Sequence, residues 1–183
     1  MTKVVFLDRD GVINQYPGDG NYVTSPKEFK LLPGAIEAIK KMKKANFKLF
    51  IVSNQSGVSK GIYSKKTLKQ IDRGLKFKLW FHRTSIDGIY YCTHKDEDNC
   101  FCRKPKTGLL AKAKETIKKE IDLSFFIGDS FTDINTAKNF GAKSILVLSG
   151  KEKLKNRKNW RFEPDYIFDN LLLASNFLLT NYA

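Results

Sequence analysis

The segment Asp8-Arg9-Asp10-Gly11-Val12-Ile13-Asn14 sets two carboxylates two positions apart, close enough to share one cation. A second polar cluster, Ser53-Asn54-Gln55-Ser56-Gly57, carries hydroxyl and amide donors. Arg103-Lys104-Pro105 adds adjacent cations, and Gly128-Asp129-Ser130-Phe131-Thr132-Asp133 a further acidic turn. Chemistry on a phosphate needs carboxylates for a hard cation, donors for the phosphoryl oxygens and a positive charge against the charge that develops. Any one of these loops is equally a solvated turn; their joint occurrence argues for a shared site.

A different chemistry is concentrated in Cys92-Thr93-His94 and Cys100-Phe101-Cys102, which hold every cysteine of the chain. Three thiolates and an imidazole are a tetrahedral zinc set with no open position, so the metal would be structural. Cys102 directly precedes Arg103 and Lys104, and a zinc ion there would rigidify the loop that presents both cations. Free or buried thiols are the plain alternative. His82 has no such partners and reads as a surface or interface histidine.

Elements able to position these loops are legible in the apolar pattern. Short apolar runs at 4–7, 47–52, 86–92, 125–127 and 144–148 have the length and content of buried strands. Between them, helical spacing or polarity marks 35–45, 64–81, 107–120 and 133–140 as helices, and 162–183 is expected to end the chain as a helix over the sheet. Alternation of this kind implies right-handed crossovers and a parallel sheet with helices on both faces. Ligands bind such sheets at the carboxyl ends of the strands, where the polar clusters fall. The 183 residues suit a single domain over 1–183.

Lys and Arg number 33 against 19 Asp and Glu, a net charge of +14 that favours anionic partners without choosing among them. No window has the apolar length of a membrane span or a signal peptide, so a cytoplasmic location and no membrane partner are expected. The basic run Lys151, Lys153, Lys155, Arg157, Lys158 and Arg161 reads as a solvated face.

Asp8-Arg9-Asp10-Gly11-Val12, Ser53-Asn54-Gln55, Lys104-Pro105 and Gly128-Asp129-x-x-x-Asp133 together resemble the four ordered motifs of haloacid-dehalogenase-type phosphatases. The resemblance implies a Rossmann-like α/β fold with no separate cap domain, and an aspartyl-phosphate mechanism. Asp8 would be the nucleophile, and Asp10 the general acid and then base. Ser53 and Lys104 would stabilise the phosphoryl group. Mg2+ would be bound by Asp8, Asp10 through its backbone carbonyl, and Asp129, with Asp133 orienting this shell. The Zn2+ ligands would be Cys92, His94, Cys100 and Cys102.

The cysteine loop is similar to that of the subgroup holding heptose-bisphosphate phosphatases of bacterial surface-glycan synthesis and histidinol-phosphate phosphatases. Gly20-Asn21-Tyr22-Val23 and Asp87-Gly88-Ile89-Tyr90-Tyr91-Cys92 lean toward the former. By that resemblance the substrate is a small phosphorylated sugar met by Arg9, Asp19, Tyr22, Asn54, Gln55, Ser56 and Arg103, with Arg103 on a distal phosphate. Ser130 stands where relatives often carry a basic residue. Rivals are a histidinol-phosphate phosphatase, a nucleic-acid 3′-phosphatase and a basic binding module on a degenerate fold. A monomer without nucleic acid is the expected state.

Overall fold

The computed structural model describes residues 2–160 and 162–183; Arg161 of the basic run lies outside the described residues. Six strands are described: β1 (Lys3–Leu7), β2 (Lys48–Asn54), β3 (Gly88–Cys92), β4 (Leu123–Gly128), β5 (Lys143–Val147) and β6 (Tyr166–Phe168). They form one parallel sheet in the order β3-β2-β1-β4-β5-β6. The order reverses beside β1, and a reversal opens a crevice at the carboxyl ends of the flanking strands.

Apolar runs form the central strands because both sheet faces are covered. In β1, Val5 and Leu7 pack with α1 (Ala35–Lys44), α2 (Lys65–Phe81) and α5 (Leu171–Tyr182), while Val4 and Phe6 pack with α3 (Gly108–Glu115) and α4 (Phe131–Phe140). All four β1 side chains are fully buried, each contributing roughly 1.5–3 kcal/mol of apolar transfer. A strand so anchored fixes Asp8, the residue that follows it. Its amide continues the ladder, donating to the Ile127 carbonyl at 2.9 Å. Every described strand and α-helix belongs to this sheet or its two covering layers, a short exposed 3-10 helix (Leu154–Asn159) lies outside them, and no separate cap is inserted among the described residues. None of the described helices is long and apolar enough to cross a membrane.

Two expectations need correction. The helix expected over 107–120 ends at Glu115, where the Thr116 hydroxyl donates to the Ala113 carbonyl at 2.7 Å and the chain turns. The closing helix begins only at Leu171, capped by Asn170, and is preceded by β6. Tyr166-Ile167-Phe168 is an aromatic and β-branched run suited to a strand.

Candidate active site

Four loops meet at the carboxyl edge of β1, β2 and β4 around a cleft of about 270 Å³. Of the residues expected at the site, Asp8, Asp10, Tyr22, Ser53, Asn54, Ser56, Arg103, Lys104 and Asp129 line it together. A larger cavity of about 480 Å³ lies at the opposite sheet end among Lys48, Asp87 and Lys118. Its carboxylate, Asp87, is already engaged by Lys43, Lys48 and the Leu49 amide, so size does not select the site.

Lys104 is buried between two carboxylates, with Nζ 3.0 Å from Asp8 Oδ1 and 2.6 Å from Asp133 Oδ1. Burial, the largest single effect, pushes its pKa down, but Asp133 and Asp8 outweigh it and raise the pKa above the ordinary lysine value. The approach to Asp8 lacks hydrogen-bond alignment, so buried Asp8 Oδ1 has no hydrogen-bond donor. Burial raises the Asp8 carboxyl to about 6, with Lys104 opposing the shift and Asp133 and Asp10 adding to it. Asp129 is pushed well above the carboxylate range by burial first, then by Asp133 and Asp8.

Carboxylate oxygens of Asp8, Asp129 and Asp133 lie within 4.8 Å of one another. Lys104 offsets Asp8 and Asp133 but, among the described residues, makes no ion pair with Asp129. A further cation would relieve the remaining repulsion, and the Asp8 oxygen without a hydrogen-bond donor is the atom that would meet it. Asp133 needs no cation: Lys104 donates to Oδ1, and the Ser130 hydroxyl and amide donate to Oδ2 at 2.7 and 3.2 Å. The same Ser130–Asp133 pair forms the capping box of α4, so helix start and lysine clamp are one construction. Asp8 and Asp129 therefore fit Mg2+ directly, with Asp133 one step behind.

Asp10 does not bring its carboxylate to that trio. Arg9 grips it with Nε at 3.2 Å and Nη2 at 2.9 Å, while Asn14 donates at 2.7 Å and Gln55 at 2.9 Å. Arg9 is 0% exposed and packed between the rings of Phe29 and Tyr91. Gln55 is also buried, with Tyr63 donating to its Oε1. The expectation that Arg9 and Gln55 touch a ligand is thus corrected: they stand behind Asp10 and fix it. Asn54 lines the cleft, yet its amide is committed to the Lys104 backbone, donating to its carbonyl at 3.2 Å and accepting from its amide at 3.1 Å. The serine loop therefore holds the lysine loop in place.

Cys92, His94, Cys100 and Cys102 also converge. Sulfur–sulfur separations of 3.5 and 3.6 Å and sulfur–Nδ1 separations of 3.3 and 3.5 Å enclose a common centre. A tetrahedral zinc with ordinary bond lengths has edges of about 3.8 Å between sulfurs and about 3.6 Å from sulfur to nitrogen. Donor set and spacing both fit Zn2+. Arg103 is tied to this loop through Asp96 and the His94 carbonyl.

One loop escaped the sequence reading. After β5, Ser149 donates to the Gly11 carbonyl at 2.7 Å and the Lys151 amide to Asp129 Oδ2 at 2.8 Å. Gly150 lies so close to the Asp129 carboxylate that any Cβ there would collide with it, and Gly11, at φ 79°, approaches the same carboxylate oxygen as closely. Lys151, assigned to the solvated basic run, instead lines the cleft beside Ser130. Asp19 stays at the rim, outside the cleft wall, accepting from the Tyr16 hydroxyl at 2.6 Å and pairing with Lys151 Nζ at 2.8 Å. The usable signal was position: Ser149-Gly150-Lys151 follows a strand of the parallel sheet, as the other site loops do.

Residues 5–101 match the family model of haloacid dehalogenase-like hydrolases, and residues 101–174 match a second model of HAD-like hydrolases. The chain belongs to the haloacid dehalogenase-like hydrolases. Within that family it is a phosphatase. It is 36% identical to a D-glycero-beta-D-manno-heptose-1,7-bisphosphate 7-phosphatase of Helicobacter pylori over 86% of this chain and 90% of that protein. It is 34% identical to the protein of the same name from Haemophilus influenzae over 94% of each chain. Its fold superposes with TM-score 0.89 on a D,D-heptose 1,7-bisphosphate phosphatase from B. bronchiseptica, solved with magnesium and phosphate, at 30% identity over 98% of this chain and 99% of that one.

Proposed function

We propose that the chain is a Mg2+-dependent phosphomonoester hydrolase that removes the 7-phosphate of D-glycero-D-manno-heptose 1,7-bisphosphate, a precursor in surface-glycan synthesis. The observation that carries this reading is a cleft with two poles. At its floor are Asp8, Ser53 and Lys104; at its mouth are Arg103 and Lys151, each paired with an exposed carboxylate. Exposed ion pairs contribute only ~0–1 kcal/mol, so a second phosphate can displace Asp96 and Asp19 at small cost. The relatives named above support the substrate class.

In this reading Asp8 attacks phosphorus and becomes the aspartyl-phosphate, splitting one difficult displacement into two. Asp10, aimed by Arg9, Asn14 and Gln55, donates a proton to the leaving sugar oxygen and later takes one from water. Lys104 balances the charge on Asp8 and the phosphoryl oxygens, and Ser53 donates to them. Asp8, Asp129 and the Asp10 backbone carbonyl hold Mg2+. When bound, the ion supplies charge neutralisation for the transferring group. Tyr22 and Ser56, whose hydroxyls are 3.2 Å apart, face the sugar with Asn54, while Asp19 contributes at the rim. Cys92, His94, Cys100 and Cys102 would hold a structural Zn2+, which would keep Arg103 and Lys104 in register.

The test is phosphate release with Mg2+ on heptose 1,7-bisphosphate, histidinol phosphate and a 3′-phosphorylated oligonucleotide. A kcat/KM preference of ~100-fold for the bisphosphate, about 2.7 kcal/mol of discrimination, is expected. Comparable rates on all three would refute the substrate assignment. A cationic histidinol phosphate meets two like charges at the mouth and is expected to be poor.

A further inference from the structure

The exposed side of α2 has no part in the site, yet its composition is unusual for a solvated helix. Phe77, Trp80 and Phe81 are 63%, 70% and 69% exposed, and the Phe77 and Trp80 rings lie 5.8 Å apart. Burying such side chains normally stabilises a fold by more than any surface charge does, so three left in water on one helix call for an occupant. The buried stripe Leu68, Ile71, Leu75 and Leu79 already satisfies the helix's packing against the sheet. Arg73, Phe77 and Trp80, at i, i+4 and i+7, run along the opposite side.

Lys76 and Lys78 alternate with the aromatics, and Lys65, Lys66, Lys69 and Arg73 carry the positive charge on toward the start of the helix, all exposed. Among the described residues none of these six is in an ion pair. The helix's only acid, Asp72, is turned inward and accepts from the Tyr91 hydroxyl at 2.6 Å. The neighbouring α1, on the same sheet face, adds Lys40 and Lys44.

We propose that α2 is a peripheral docking surface for an anionic lipid bilayer, lying in the interface plane with its aromatics inserted and its cations against the headgroups. The charge argues for this occupant over a second copy of the chain, since two such faces would set six cations against six. A groove of about 410 Å³ does adjoin the end of the helix at His82, but Phe77, Trp80 and Phe81 are not among its lining residues, whereas a bilayer yields to the rings. This departs from the sequence expectation of no membrane partner, which rested on the lack of a spanning segment; a helix of 17 residues, about 25 Å long, suffices to lie on a surface. None of the residues lining the catalytic cleft belongs to α2, so the proposed contact does not use the site.

Co-sedimentation of the intact protein with phosphatidylglycerol vesicles, with phosphatidylcholine vesicles and with a single-stranded oligonucleotide tests this. Binding to phosphatidylglycerol alone is expected, weakening strongly at about 1 M salt, where charges are screened beyond about 3 Å. In a Trp160→Phe background, Trp80 emission should shift to the blue on those vesicles. The triple variant Phe77→Ser, Trp80→Ser, Phe81→Ser should bind at least about tenfold more weakly with phosphate release unchanged. No binding by the wild type, equal binding to both lipids, or full binding by the triple variant would overturn the proposal. So would aromatic-dependent capture of the oligonucleotide, or a dimer that dissociates when the aromatics are removed.

Discussion

The carboxylate centre and the cysteine loop are built on opposite principles. Asp8 and Asp129 follow directly on β1 and β4, whose ladders and buried side chains fix them whether or not a cation is present. The fold holds these charges together against their repulsion, and the elevated Asp8 and Asp129 pKa values record that conflict. His94, Cys100 and Cys102 instead lie in a stretch, 93–107, without helix or strand, and only Cys92 ends one. There the ligand would make the structure. A metal removed from the first region should leave the fold intact; a metal removed from the second should loosen the segment bearing Arg103 and Lys104.

The sharpest break is Asp8→Asn. Turnover should fall by at least ~10⁴-fold, as loss of a covalent nucleophile does, while the metal-free melting temperature rises because a frustrated buried charge is gone. Phosphate release and calorimetry on the same preparation check both; an Asn variant that unfolds would contradict the idea that the sheet alone holds this region. Next in size is Cys100→Ser, or chelation of zinc. Activity should drop roughly 10–100-fold, with fast amide exchange confined to 93–107 and the sheet still protected. Exchange spreading through β1 and β4 would erase the distinction.

Legibility in the sequence followed the same division. Strand-end loops were readable because type and position coincide: an acid just past a buried apolar run has little to do except chemistry. β6 was missed because three residues give too little period to separate strand from helix, and the α3 end because Thr116 stops it through a local hydrogen bond. Arg9 and Gln55 were placed at the substrate since both are polar and lie inside motif loops. Only the side-chain directions reveal that they grip Asp10 from behind. Lys151 was hidden by its neighbours, a run of solvated cations that made it look like one more.

Gly150→Ala probes the carboxylate side without replacing a charged group. A Cβ would strike the Asp129 carboxylate, which must move, while the β5 loop is partly exposed and can relax. Mg2+ affinity should weaken about 10–100-fold with a melting temperature within a few degrees of wild type, read by titrating activity against Mg2+. An unchanged Mg2+ requirement would mean that Asp129 is free to bind from a displaced position, contrary to a centre fixed by its surroundings.

The smallest expected effect is also the most specific to charge. Asp8 is raised to about 6 from the ordinary 3.8, so the folded protein holds more protons than the unfolded chain between those values. Stability contributed by that bound proton is present at low pH and lost as pH rises through about 6. A divalent cation takes only the deprotonated site. The gain in melting temperature on adding Mg2+ should therefore grow as pH rises from about 4.5 through about 6, and keep growing until Asp129, also raised well above the carboxylate range, has lost its proton. Acids shifted downward, such as Asp87 and Asp165, give the opposite slope in raw stability, but they are equally present with and without Mg2+ and cancel in the difference. Zinc stabilisation should also grow with pH, but through loss of thiol and imidazole protons rather than relief of carboxylate repulsion, so Asp8→Asn should change the pH profile for Mg2+ and leave that for zinc unaltered. A Mg2+ gain that is flat in pH would mean the carboxylates are not the groups that receive the ion.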